Sequence, residues 1–145
     1  MARLHTTLAI LLMIVALLFE SSVVYSVIII PGEQTVHLSN NISSSTILNV
    51  HCKSADNDLG PQTVHFHQDY NFSFHANIPL TTLFWCNVDW NSAAGDVRNS
   101  KAFDIYSTKI CWIKYRDCRW YALTDGLYFF DNEKNALLLK FGWDH

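Results

Sequence analysis

Residues 82–90 read TLFWCNVDW, with Phe84, Cys86, Val88 and Trp90 on one parity and Leu83 and Trp85 on the other. Successive side chains of a strand point to opposite faces, so this alternation predicts a β-strand. Apolar residues on both parities predict a strand covered on both sides, and therefore a central position in a sheet.

The same pattern continues outward in both directions. Upstream, residues 46–53 set Leu48, Val50 and Cys52 against Asn49, His51 and Lys53, and residues 34–38 align Val36 with Leu38. Val64 with Phe66, and Tyr70 with Phe72 and Phe74, read as two strands joined by a hairpin turn at Gln68-Asp69. Downstream, strands are expected at 102–106, 109–113, 118–122, 126–130 and 136–141, with a turn at Thr124-Asp125-Gly126. Residues 54–62 (SADNDLGPQ) read as a turn-rich loop and residues 91–101 as the longest polar loop. No stretch after residue 26 keeps a 3.6-residue period over a dozen positions. Seven to nine short strands with frequent turn signals predict an all-β fold, a small antiparallel β-sandwich.

The chain has 145 residues, room for one domain after any leader is removed. Aromatic residues make up 14%, which suits the core of a β-protein. The net charge is -3, and no dense basic patch offers itself to a phosphate backbone, so nucleic acid is not an expected partner.

The first 26 residues read as an address. Arg3 precedes an apolar run at residues 6–19, TTLAILLMIVALLF, closed by Glu20. That run is shorter than the ~20 residues a bilayer span needs. Val24 and Ser26 stand at the -3 and -1 positions of a cleavage site. The expected organisation is a signal peptide at 1–26 and a secreted domain at 27–145, with no membrane insertion after cleavage.

Four cysteines, Cys52, Cys86, Cys111 and Cys118, all lie in the expected mature part. An even number in a secreted chain reads as two disulfides, and the absence of C-x-x-C argues against zinc. Three pairings are open. Because Cys52, Cys86 and Cys118 share the inward parity of their strands, Cys52–Cys118 with Cys86–Cys111 is favoured among them.

An ordered set of motifs runs along the chain: His51-Cys52-Lys53-Ser54, Asp58-Leu59-Gly60, Phe72-Ser73-Phe74, Thr82-Leu83-Phe84-Trp85-Cys86, Trp90, Phe103-Asp104-Ile105-Tyr106, Cys118-Arg119-Trp120, Asp125-Gly126 and Tyr128. This set closely resembles the plant self-incompatibility protein family, the S-protein homologues. The resemblance implies a small secreted, cysteine-bridged β-sandwich. It also implies a ligand role, since the best understood members are stigma proteins recognised by a pollen membrane receptor, which triggers calcium signalling and pollen-tube arrest.

Other chemistries are weaker. His65, His67, Asp69 and His75 share one parity around the expected hairpin, a pattern that offers a metal-binding module using His65 and His67 as an alternative. No G-x-S-x-G elbow occurs, and the paired carboxylates Asp56/Asp58 and Asp89/Asp96 are read as turn-forming and capping residues rather than as a catalytic pair. A secreted apoplastic defence protein or hydrolase is the other rival. Neither rival assembles a full constellation in the sequence, so no enzyme, cofactor or metal is expected. Asn41-Ile42-Ser43 and Asn71-Phe72-Ser73 are glycosylation sequons, with Asn41 in the more accessible-looking stretch. Rigid sandwiches present recognition residues on end loops, so Asp56, Asp58, Asp96 and Arg98 are the expected contacts to a membrane receptor.

Overall fold

Val36 and Leu38 in β1 (Glu33–Asn40), and Leu48, Val50 and Cys52 in β2 (Leu48–Lys53), are each at most 2% exposed, as their parity requires. In the computed structural model, residues 32–78, 80–92, 98–111 and 113–145 are described. Among them the chain continues as β3 (Asp58–Val64), β4 (Asp69–His75), β5 (Leu83–Asn91), β6 (Arg98–Ser107), a short 3-10 turn at Ile113–Tyr115, β7 (Asp117–Leu123), β8 (Gly126–Asp131) and β9 (Ala136–Gly142). The leader expected at 1–26 lies outside the described residues.

Two sheets form, one in the order β4-β1-β7-β8-β9 and the other in the order β3-β2-β5-β6. Their inward faces share one apolar core. All pairings are antiparallel except β1 with β7, which run parallel. Parallel neighbours need a long crossover, and here most of the chain between them, including the entire four-stranded sheet, provides it.

Trp120 fills the centre of the core. It is 1% exposed, with the rings of Phe103 at 5.0 Å and Phe129 at 5.2 Å. A second aromatic cluster joins Phe74 to Phe84 and, edge-on, to Tyr106, each at 4.6 Å. The carboxyl end closes the sandwich. Trp143 packs edge-on against Trp90, and its indole donates to the Leu123 carbonyl at 2.8 Å. Beyond it Asp144 bridges Ser100 through the backbone and receives Lys101 at 2.8 Å, so the tail of the five-stranded sheet is tied to β6 of the other.

Several expectations are corrected. The cysteines pair as Cys52–Cys86 and Cys111–Cys118, not as Cys52–Cys118 with Cys86–Cys111. Cys52 and Cys86 stand directly opposite on β2 and β5, with Cα atoms 4.0 Å apart, so strand register brings them together; shared parity alone did not choose a partner. Cys111 and Cys118 close the short connection before β7. The described part of 109–113 contains no strand, and the 3-10 turn begins at its end.

The expected hairpin at Gln68-Asp69 does not form either, because β3 and β4 belong to different sheets. The chain crosses between sheets there, with His67 at φ 62 and its N–H donating to the Asn40 carbonyl at 2.8 Å. Residues 58–62, expected as loop, open β3 instead. Pro61 is tolerated because β3 is an edge strand, where a missing N–H need not break a ladder. β5 is central, as expected, between β2 and β6. Its outer face is nonetheless open: Leu83 is exposed and Trp85 half-buried, so the expectation of a two-sided cover for this strand fails.

Candidate functional site

Residues 54–57 form a small loop at one end of the sandwich. Ser54 N–H donates to the Asn57 carbonyl at 2.8 Å, and Asn57 N–H donates back to Ser54 Oγ at 3.1 Å. The bulge between His51 and Lys53 brings Lys53 opposite Asp58, the first residue of β3. The Asp58 carboxylate then gathers Lys53 Nζ at 2.8 Å, His51 Nε2 at 2.6 Å and the Gly60 N–H at 2.9 Å. Gly60 adopts φ +74, a left-handed geometry that glycine takes without strain. These donors, with Lys53 foremost, hold the Asp58 carboxyl far below the usual carboxylate range.

Asp58 is therefore a clamp at the base of the loop. Ala55, Asp56 and Asn57 stand exposed above it, and Asp56 takes no side-chain partner among the described residues. His51 and Lys53 were not read as functional from the sequence, yet their parity, facing away from the core, was the visible signal.

The second expected recognition loop lies elsewhere. Arg98, its side chain 71% exposed, opens β6 opposite Asn91 and pairs with Asp89 at 3.2 Å. Asp96 lies outside the described residues. Lys53 pairs with Trp85 on β5 and Arg98 with Asn91, so the base of the 54–57 loop and Arg98 are offset along β5 by about 20 Å. Arg98 and the 54–57 loop lie toward opposite ends of β5 and do not form one site.

The histidines also part company. With no hairpin, His65 and His67 lie in the crossing segment, and the His67 ring stacks on Phe66 with centroids 3.7 Å apart. His75 ends β4, opposite Glu33. Among the described residues, no three His, Cys, Asp or Glu side chains are grouped to hold a metal ion. Nor does any helix among them have the length and apolarity to cross a membrane.

The two sequons reverse their expected order of accessibility. Asn71 is exposed on edge strand β4. Asn41 is half-buried, its N–H donates to the Ala122 carbonyl at 2.8 Å, and the neighbouring Ile42 is in the core.

This set of strands and bridges defines a disulfide-stapled β-sandwich. The model of the plant self-incompatibility protein S1 family matches residues 35–143, and the chain belongs to that family. It is 38% identical over 96 residues to S-protein homolog 5 of Arabidopsis thaliana, covering 63% of this chain and 67% of the relative. It is 34% identical over 106 residues to Self-incompatibility protein S1 of Papaver rhoeas, covering 68% of each. A solved structure described as an SPH (Self-Incompatibility Protein Homologue) protein, from a widespread family of small, highly stable, secreted proteins from plants, aligns with a TM-score of 0.55. The two share 18% identity, and the alignment covers 78% of this chain and 96% of the other. That likeness confirms the sandwich.

Proposed function

We propose that this protein is a secreted plant signalling ligand that acts without catalysis by binding a membrane receptor in cell–cell recognition, pollen–pistil or related. Residues 1–26 would direct its export and be removed. Membership of a family that includes a protein named for self-incompatibility supports the reading.

The observation that carries it is the loop at 54–57. A loop clamped at its base and free at its tip is a preformed recognition element, because little conformational entropy is lost when a partner engages it. Charge on such a tip tunes association rate and partner choice. The test is capture of a receptor from plant membranes by the secreted protein. Exchange of residues 55–57 for those of a relative should change which membranes are bound and leave unfolding unaltered. Unchanged binding after that exchange would sink the reading.

A further inference from the structure

We propose that the outer face of the four-stranded sheet is a binding site for an uncharged oligosaccharide, a role separate from receptor binding and independent of it.

Asn49 and His51 on β2, Asn87 and Asp89 on β5, and Pro61 and Thr63 on β3 line an open groove of about 610 Å³. Register arranges them in two rows across the strands, Thr63–Asn49–Asp89 and Pro61–His51–Asn87. Neighbours within a row lie about 5 Å apart. Asn49 Nδ2 donates to Asp89 Oδ2 at 3.0 Å, which leaves the Asn49 carbonyl oxygen and its second N–H available. The Asn87 amide has no side-chain hydrogen bond among the described residues and is exposed. Planar amides beside a carboxylate offer donor and acceptor together, which is what adjacent sugar hydroxyls require, since each hydroxyl both donates and accepts.

Apolar surface borders the polar rows. The Pro61 ring lines the groove, and Trp85, which lines the adjoining pocket beside residues 54–57, lies on the same face of β5 as Asn87, half-buried and two residues away. Charge then narrows the ligand class. Asp89 is met by Arg98, and Asp58 by Lys53 and His51, while Asp104, exposed on β6 opposite Trp85 and unpaired among the described residues, adds a carboxylate that would repel an anion. Little unpaired positive charge is left to hold a phosphate or a carboxylate. A peptide would seek backbone pairing at a sheet edge; the polar side chains of the groove stand mainly on β2 and β5, interior strands whose ladders are occupied on both sides, and at the β3 edge Pro61 offers no N–H. The side chains stand on strands rather than loops, so the site is rigid before the ligand arrives.

The test is amide NMR titration of the folded, disulfide-bonded protein. The probes are cellohexaose, a xyloglucan heptasaccharide and a high-mannose N-glycan, with oligogalacturonate as the charged comparison, each at millimolar concentration. Saturable shifts at Asn49, Asn87 and Asp89 with a neutral probe are expected. Preference for the first two probes assigns a wall glycan, and preference for the third a glycoprotein. Asn87→Ala should weaken binding roughly tenfold, as loss of a hydrogen-bonding side chain does, with unchanged thermal unfolding. The Trp85 indole signal should move with the same probe, a second readout independent of any variant. No shift with any neutral probe, undiminished affinity in folded Asn87→Ala, or binding of oligogalacturonate alone overturns the proposal.

Discussion

The indole N–H of Trp120 in β7 donates to the carbonyl of Ile105 in β6 at 2.9 Å, a buried hydrogen bond that joins the two sheets. Ile105 lies in the four-stranded sheet and Trp120 in the five-stranded one, so the bond sets how the sheets sit on each other. Trp120→Phe keeps most of the apolar volume and leaves the Ile105 carbonyl without this donor. It should cost about 1–3 kcal/mol. Trp120→Ala adds a cavity and should cost about 3–5 kcal/mol. Urea unfolding of both variants measures the difference. No loss in Trp120→Phe would show that the bond contributes nothing beyond packing.

The two bridges should contribute unequally. Cys52–Cys86 spans a separation of 34 residues and Cys111–Cys118 a separation of 7. Loop-closure entropy in the unfolded chain then gives about 3.8 kcal/mol for the first and about 2.5 kcal/mol for the second. Replacing both cysteines of a bridge by alanine and unfolding in guanidinium tests the order. Greater loss from the Cys111/Cys118 pair would overturn it.

These two bridges also mark what the sequence could show. Alternation identified the inward faces of β1, β2, β5, β6 and β7, because burial acts residue by residue along a strand. It could not show which strands are neighbours, since that depends on contacts between distant segments. Cys52 and Cys86 therefore carried the right parity and the wrong expected partners. For the same reason His65, His67 and His75 were placed on one hairpin that the chain never makes. The clamp at Asp58 was hidden differently: Asp, Gly and Pro in succession read as a turn, and here they open an edge strand through a bulge. Trp85 was expected to be covered on the second face of β5 because it is apolar, yet that face is open and leaves it half-buried.

Acid should weaken the base of the 54–57 loop through Asp58. Its folded pKa lies below its ordinary value of 3.8. The group therefore stabilises the fold fully at pH above that value, and the contribution fades as pH falls below 3.8 toward the folded pKa. Asp58→Asn removes this dependence. The variant should be less stable than the parent at neutral pH, and the gap should narrow as the pH drops below 3.8. Thermal unfolding across an acid series follows it. A constant gap would mean that the Lys53 and His51 contacts do not act through charge.

Asn71 should be the better-used glycosylation site. It stands exposed on edge strand β4, whereas Asn41 has its backbone tied to Ala122 and a buried neighbour in Ile42. A glycan needs a solvated attachment point. In protein recovered from a eukaryotic secretory host, Asn71→Gln should remove most of the glycan mass and Asn41→Gln little. Mass spectrometry of the intact protein decides between them, and the opposite result would contradict the exposures.

The separation of Asp56 from Arg98 makes the receptor reading specific. Asp56 and Arg98 lie at opposite ends of β5, so one receptor surface docking end-on reaches one of them. Asp56 sits on a loop held by the Asp58 clamp, while Arg98 is engaged with Asp89. The free and preorganised charge is the one at Asp56. Asp56→Lys should slow receptor association and make it less sensitive to low salt, because rim charges act chiefly on the encounter rate. Arg98→Glu should leave association nearly unchanged. Surface plasmon resonance on captured receptor-bearing membranes, at two ionic strengths, reads both. If Arg98→Glu alters association and Asp56→Lys does not, the contact lies at the other end of the sandwich.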